Sequence, residues 1–339
     1  MRVVMFDIDT LRADHMGCYG YQRNTTPVMD EIAKEGVRFE DYYCPNAPCL
    51  PSRASMISGQ YGVHNGIVGH GGTAADMRLQ GRTRSFTDDM SENGLFMQFR
   101  RAGMHTVSFS TFAERHSAWW FNAGFNECYN VGRRGGESAE MVTPHVLDWL
   151  EKNGEKDNWM MHVHYWDPHT PYRTPADYET HFDETPLPDD WITEEIFREH
   201  LLHIGPHGAN EINMWNDDTF SQWPKHPGKL KTLKEAQHFL NLYDEGVRYT
   251  DDNIGQIIGW LKEHGLYDED DKLKNIFDVA RKAGTMNRIY SFASTSKITF
   301  AGSGISAIAA SEENIKDIMA KMFFKCINAN KVNQVMHVN

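Results

Sequence analysis

The sequence lacks the features that define several protein classes. Its 339 residues hold five cysteines, an odd number, at 18, 44, 49, 128 and 326, with no Cys-x-x-Cys. That excludes a disulfide framework and a thiolate zinc site. No stretch approaches the ~20 consecutive apolar residues of a membrane helix, so no membrane partner is expected. Basic residues are in deficit, 34 Lys and Arg against 47 Asp and Glu, for a net charge of -13. A general nucleic-acid binder carries a basic face, so no nucleic-acid partner is expected. Met1-Arg2 runs straight into Val3-Val4-Met5-Phe6, without a long apolar leader or cleavage site. A cytoplasmic location is therefore expected, or a periplasmic or secreted one if the true start lies upstream. The last absence is local: all nine Trp and all thirteen Pro precede Asp268. The charged run Asp268-Glu269-Asp270-Asp271-Lys272 marks the change, which predicts a boundary between 1–267 and 268–339.

What is present suits a globular core: 40% hydrophobic and 12% aromatic residues can repay ordering entropy. Residues 3–8 form an apolar run ending at Asp9-Thr10, which predicts a buried parallel strand with a carboxylate at its C-terminal end. Thr26-Pro27 opens a helix that Gly36 stops. The alternation over 37–42 predicts a second strand. Further strands are predicted at 103–109 and 159–164, a helix at 141–151, and one or two helices over 233–264. In the last, Ile254, Ile257, Ile258 and Leu261 share a face. Residues 173–235 read as a long surface excursion. Strands alternating with helices predict an α/β fold with a doubly wound, mostly parallel sheet flanked by helices.

Chemistry concentrates at Cys49-Leu50-Pro51-Ser52-Arg53-Ala54-Ser55. Pro51 suits a first helical turn, so Cys49 stands where a helix offers unpaired N–H groups and partial positive charge. Arg53 adds a cation one turn on. Such a place favours an anionic ligand and a reactive group derived from cysteine.

The segment resembles the signature of the type I, formylglycine-dependent sulfatases of the alkaline phosphatase superfamily. Other motifs share the resemblance: Asp9-Thr10-Leu11-Arg12-Ala13-Asp14-His15 with Gly17-Cys18-Tyr19-Gly20, Thr26-Pro27, Gly59-Gln60-Tyr61, Asp167-Pro168-His169-Thr170-Pro171, and Tyr243-Asp244-Glu245 with Arg248-Tyr249 and Asp251-Asp252. It spans roughly 1–267. The resemblance implies hydrolysis of a sulfate ester. In that chemistry Cys49 is oxidised to formylglycine by a maturase, and the hydrated aldehyde attacks sulfur. It implies a divalent cation, usually calcium, with manganese or magnesium as alternatives. Asp9 and Cys49 match metal-site positions, and Asp7 lies on the same side of the strand as Asp9. Many members have Asp-Asp where this chain has Asp9-Thr10, which drops one ligand. Arg53 matches the arginine that pairs with formylglycine and sulfate, and His169 a histidine that contacts sulfate or the leaving oxygen. The expected Lys-x-His is missing. Thr111 stands there instead, as in related phosphonate and phosphodiester hydrolases, and His116 is a substitute imidazole. His64 and His70 are candidates to line the pocket. Trp119, Trp120, Trp166 and Tyr172 would suit stacking on a sugar, so a sulfated carbohydrate is one substrate class.

The resemblance then breaks. No Asp-His-Gly or Asp-Asn-Gly follows Tyr267, so the second half of the metal site is missing and the fold is read as truncated. Cation binding by Asp9 alone is expected to be weak, and an exposed apolar sheet edge is expected unless a tail strand at 289–293 fills it. The tail instead resembles a class I aminotransferase fragment. There Ser294-Thr295-Ser296-Lys297 matches the lysine that holds pyridoxal phosphate. The rest of that pocket is absent, so Lys297 is read as a lysine without a cofactor. The chain reads as a composite, with three open functions: sulfatase, phosphonate monoester or phosphodiester hydrolase, and non-catalytic remnant that binds a ligand or partner.

Overall fold

A computed structural model describes residues 1–267 apart from 41, 78–91, 181, 204–207, 213–218 and 221–222, with the strands Tyr290–Ser294 and Ser306–Ala310. The chain divides into two compact units. One comprises Met1–Ile32, Gly103–Arg115 and Phe125–Tyr267; the other holds Ala33–Ala102, His116–Gly124 and the two tail strands. The boundary expected at residue 267 coincides with one of the divisions between the units, and the others fall earlier in the chain.

The first unit is built on a parallel sheet of β1 (Arg2–Ile8), β2 (His105–Phe109), β3 (Glu127–Tyr129) and β4 (Trp159–Tyr165), in the order β1-β4-β2-β3. Every residue of β4 is buried, as a central parallel strand requires, whereas every residue of β1 is only half-buried. β1 is an edge of the described sheet. The expected strand at 37–42 does not form among the described residues. Its Phe39 and Tyr42 pack on each other instead, and both are largely exposed. The alternation there was too short, and too far from a partner strand, to set a register.

Helices complete this unit. They are α1 (Pro27–Glu35), α6 (Ala139–Asn153) and α8 (Leu233–Glu263). α8 is one continuous helix opened by a capping box between Thr232 and Glu235. Its Ile254, Ile257, Ile258 and Leu261 meet Val146, Trp149 and Leu150 of α6 and Met161, Val163 and Tyr165 of β4 in one core. Each such side chain contributes about 1.5–3 kcal/mol when fully buried. The excursion is more than surface. Its helix α7 (Glu194–Leu202) contributes Phe197 to a small core with Ala209, Ile212, Leu230 and Ala236. The strands β5 (Thr219–Phe220) and β6 (Trp223–Pro227) form a hairpin there.

α8 also clamps the N-terminal loop. Asp244 is fully buried and accepts from Tyr21 Oη (2.6 Å) and Arg23 Nη1 (2.7 Å), with His15 Nδ1 at 2.5 Å. Tyr243 Oη donates to the Thr10 carbonyl (2.7 Å) and accepts from the Arg12 N–H (3.1 Å). Two turns on, Asp251 accepts from the N–H groups of Val28 and Met29 (2.8 and 2.9 Å), capping α1 from a distance.

In the second unit, α2 (Cys49–Ser58), α3 (Gly62–Asn65), α4 (Leu95–Arg101) and α5 (Phe112–His116, which ends in it) accompany buried Leu50, Ile57, Ile67, Phe96, Trp120 and Phe121. Gly124 has φ 94°, and a Cβ there would lie 2.4 Å from the Met97 nitrogen, so the position requires glycine. The tail strand expected at 289–293 exists as β7 (Tyr290–Ser294). It pairs antiparallel with β8 (Ser306–Ala310) in a sheet of its own and does not extend the parallel sheet.

Two outcomes follow for stability. Asp244→Ala strands buried Arg23 and is expected to cost about 3–5 kcal/mol in urea unfolding, against nearly nothing for exposed Asp148→Ala. Burial pushes the carboxyls of Asp167 and Asp251 from 3.8 up to about 6, against the pull of the N–H groups they accept from. The folded chain therefore holds protons there that the unfolded chain releases, and stability falls as pH rises from about 4 to about 6. Asn at both positions should flatten the urea midpoint across that range.

Candidate active site

The Cys49 segment is built from its own short-range bonds. Cys49 opens α2, and Gly59 ends it in the left-handed conformation at φ 65°. The incoming loop is tied to the helix by Asn46 Nδ2 donating to Ser55 Oγ (2.5 Å) and by Cys44 Sγ against Ser52 Oγ (2.8 Å). The two serines of the motif thus hold the cysteine's approach. Cys49 and Arg53 are both buried and stand one turn apart on one face of α2.

His70 Nε2 lies 3.1 Å from Cys49 Sγ and also accepts from the Leu50 N–H at 3.4 Å. His116 Nε2 lies 4.0 Å from the same sulfur, and the two rings are 5.0 Å apart. An acceptor role toward Leu50 places the His70 proton on Nδ1, leaving Nε2 as a base facing the sulfur. Of the two histidines expected to line the pocket, His70 is brought to Cys49, and His64 packs edge-on against Tyr61.

In the first unit a second group gathers at the C-terminal ends of β1, β4 and β2. It forms two parallel rungs. Asp7 Oδ2 meets His162 Nε2 at 3.3 Å, and His162 Nδ1 meets Ser108 Oγ at 3.0 Å. Asp9 Oδ2 lies 4.0 Å from His164 Nε2, and His164 Nδ1 meets Ser110 Oγ at 3.2 Å. The two imidazoles are buried and nearly parallel, 6.5 Å apart. Period-two alternation on adjacent strands produces this repeat. Asp7 is thus engaged with His162, one rung before Asp9. The Asp-His-Ser rungs were missed in the sequence; the signal was Asp-x-Asp on one strand facing His-x-His on another.

Thr10 follows Asp9 in the left-handed region at φ 56°, and its buried Oγ1 has no hydrogen-bond partner among the described residues. No group of three or more His, Cys, Asp and Glu that could hold a metal is found among the described residues. Asp9 and Thr10 nevertheless offer hard oxygens, which suit a cation whose other ligands are water and substrate, as magnesium sites commonly are.

The loop after β4 carries His169. Its Nδ1 donates to the Thr170 carbonyl. Asp167, from the same motif, accepts from the Ala139 N–H (2.9 Å) and caps α6. Arg173 braces the turn, donating to the carbonyls of His169 (2.7 Å), Pro171 (2.9 Å) and Gly135 (2.8 Å). Burial lowers its guanidinium pKa, against the pull of Asp167 and Glu137. Sequence reading passed over Arg173 because nothing local marks a residue that binds carbonyls.

Thr111 has a different setting from the catalytic one expected. Its hydroxyl donates to Glu137 and accepts from Trp166 Nε1 (2.9 Å) and the Gly135 N–H (3.1 Å), all buried. Of the four aromatics expected to stack on a sugar, Trp120, Trp166 and Tyr172 are buried, and only Trp119 is exposed, at 59%. Lys297 lies outside the described residues.

A sulfatase family model matches residues 2–269. The chain belongs to the sulfatase family. Among curated sulfatases, N-acetylglucosamine-6-O-sulfatase of Bacteroides thetaiotaomicron is 24% identical over 315 residues, covering 78% of this chain and 55% of that protein. The chain thus spans about half the length of that relative. A solved phosphonate monoester hydrolase from Silicibacter pomeroyi has the same fold, with TM-score 0.53 and 21% identity over 80% of this chain and 61% of that one. An aspartate aminotransferase model matches residues 259–339. The tail is similar to a putative aminotransferase of Mycolicibacterium smegmatis, 44% identical over 75 residues, 22% of this chain and 18% of that protein. A sulfatase sequence therefore runs into an aminotransferase-like one near the end of α8.

Thr111→Val should cost about 1–3 kcal/mol in urea unfolding, because it leaves Trp166 Nε1 and Glu137 without their partner. Thr111→Ser should restore most of it.

Proposed function

We propose that this sulfatase-family chain hydrolyses sulfate esters through a formylglycine made from Cys49 by a maturase. The observation that carries the reading is Cys49 at the start of α2, with Arg53 one turn on and the imidazoles of His70 and His116 at its sulfur. Once converted, the hydrated aldehyde supplies the hydroxyl that displaces the alcohol from sulfur and the second hydroxyl that expels sulfate. Arg53 presents a planar fork of donors suited to a sulfate's paired oxygens. His70, held with Nε2 toward the nucleophile, accepts its proton. His169, its Nδ1 donating to a backbone carbonyl, acts in its imidazolium form, donating from Nε2 to the ester or leaving oxygen. Asp9 would hold a divalent cation (calcium, with manganese or magnesium as alternatives), which supplies charge neutralisation at the sulfate oxygens. A sulfated carbohydrate is the substrate class supported by the resemblance to an N-acetylglucosamine-6-O-sulfatase.

The second reading is a phosphonate monoester hydrolase with the same nucleophile, prompted by the fold shared with such an enzyme. The test is mass spectrometry of the Cys49 peptide from chain co-expressed with a formylglycine-generating maturase, followed by turnover of aryl sulfate and aryl phosphonate. The proposal expects the aldehyde and faster turnover of the sulfate, with both lost in Cys49→Ala. Faster turnover of the phosphonate selects the second reading. An intact thiol without turnover leaves a non-catalytic remnant.

A further inference from the structure

We propose that the cleft between the start of α8 and residues 183–192 binds a neutral, unsulfated sugar unit. It shares no residue with the proposed active site. The proposal therefore goes beyond the sulfatase reading and stands whether or not Cys49 is converted.

The cleft has a volume of about 620 Å³, within the roughly 300–1,000 Å³ of small-molecule sites. Lys234, Gln237, His238 and Asn241 recur at helical spacing and form one wall from the first turns of α8. Pro186, Leu187 and Ile192 give the other wall an aliphatic surface. Arg23 is buried and joins the two walls. Its Nη1 donates to Asn241 Oδ1 (2.8 Å) and its Nη2 to the Thr185 carbonyl. Asp183 adds a second tie, accepting from Asn241 Nδ2 and standing 3.2 Å from His238 Nδ1. Gln22 Nε2 holds the loop by donating to the Pro186 carbonyl (3.0 Å). The walls are thus fixed to each other before any ligand arrives. Arg23 Nε is also buried and has no hydrogen-bond partner among the described residues, which calls for a water or a ligand atom.

The ligand class follows from the groups left open. The side chains of Lys234, Gln237 and Asp189 make no hydrogen bond or ion pair among the described residues. They are an ammonium, an amide and a carboxylate, so the cleft presents both donors and acceptors. Arg23 adds no net charge, because buried Asp244 accepts from its Nη1 at 2.7 Å. That leaves Lys234 and His238 against Asp183 and Asp189, with no excess of positive charge to hold a sulfate, phosphate or carboxylate. An apolar ligand would cover Lys234 and Asp189 without giving them partners. A sugar ring meets both conditions. Its hydroxyl edge donates and accepts, and its C–H face packs on an aliphatic wall.

The test is a saturation-transfer NMR titration of the full chain with cellobiose, maltose and N,N′-diacetylchitobiose, and with glucose 6-sulfate for comparison. At least one neutral disaccharide is expected to bind, and more tightly than glucose 6-sulfate. Gln237→Ala and Asp189→Ala should each weaken that binding about three- to tenfold, the loss of one hydrogen bond. Both side chains lack protein partners, so neither change should move the urea midpoint. Asp148→Ala, on the exposed side of α6, should bind as wild type does. No binding of any of the three disaccharides overturns the proposal. So does binding that the double variant Gln237→Ala/Asp189→Ala keeps, or that glucose 6-sulfate matches. Turnover of aryl sulfate is a separate readout, so failure of the sulfatase reading leaves this result intact.

Discussion

The carboxylate of Asp244 is the point on which the N-terminal half of this fold turns. It lies in the dry interior and is answered there by an arginine, a tyrosine and a histidine from one loop. A buried charge is tolerable only when it is paired and hydrogen-bonded, so the loop can take one conformation. Burial and Asp244 together raise the pKa of Tyr21, which keeps that phenol a donor at any physiological pH. On the same helix Tyr243 grips the residues just after β1, and Asp251 caps α1. One straight helix therefore fixes both the end of β1 and the start of α1, and with them the position of Asp9.

That arrangement makes sense of motifs that look catalytic in one dimension. Asp14 pairs with Arg12, His15 with Asp244, Arg248 with Asp252 at 2.9 Å, and Asp167 caps a helix. Charged residues in these segments largely hold the scaffold. The groups left for the proposed chemistry are fewer: Cys49 with Arg53, His70 and His116 in one unit, and Asp9 and His169 in the other. The His164 imidazole, oriented by Ser110, stands 4.0 Å from the Asp9 carboxylate.

Family membership and the tail pull in different directions. The sulfatase match ends near residue 269, where α8 has just finished, and the aminotransferase match overlaps it by a few residues. The two described tail strands satisfy each other's backbone groups. β1 stays at the edge of the described parallel sheet with its apolar residues half-buried.

Much of this was legible in the residues. The strand at β1, the helix after Thr26-Pro27, the apolar face of α8 and the place of Cys49 at a helix start follow from local patterns: periodicity, caps, and a proline in a first turn. The strand expected at 37–42 failed because alternation without a partner decides nothing. Three of the four aromatics expected at a sugar site went into the core, since their placement depends on what surrounds them. Local sequence determined which segments are helices or strands and which cysteine stands at a helix start, because those depend on neighbours along the chain. Only the tertiary structure decided that His70 faces the sulfur, that Arg173 braces the His169 turn, that Thr111 is locked in a buried network and that Thr10 is strained with an orphan hydroxyl. Each of these is a meeting of groups far apart in sequence, or the conformation such meetings impose.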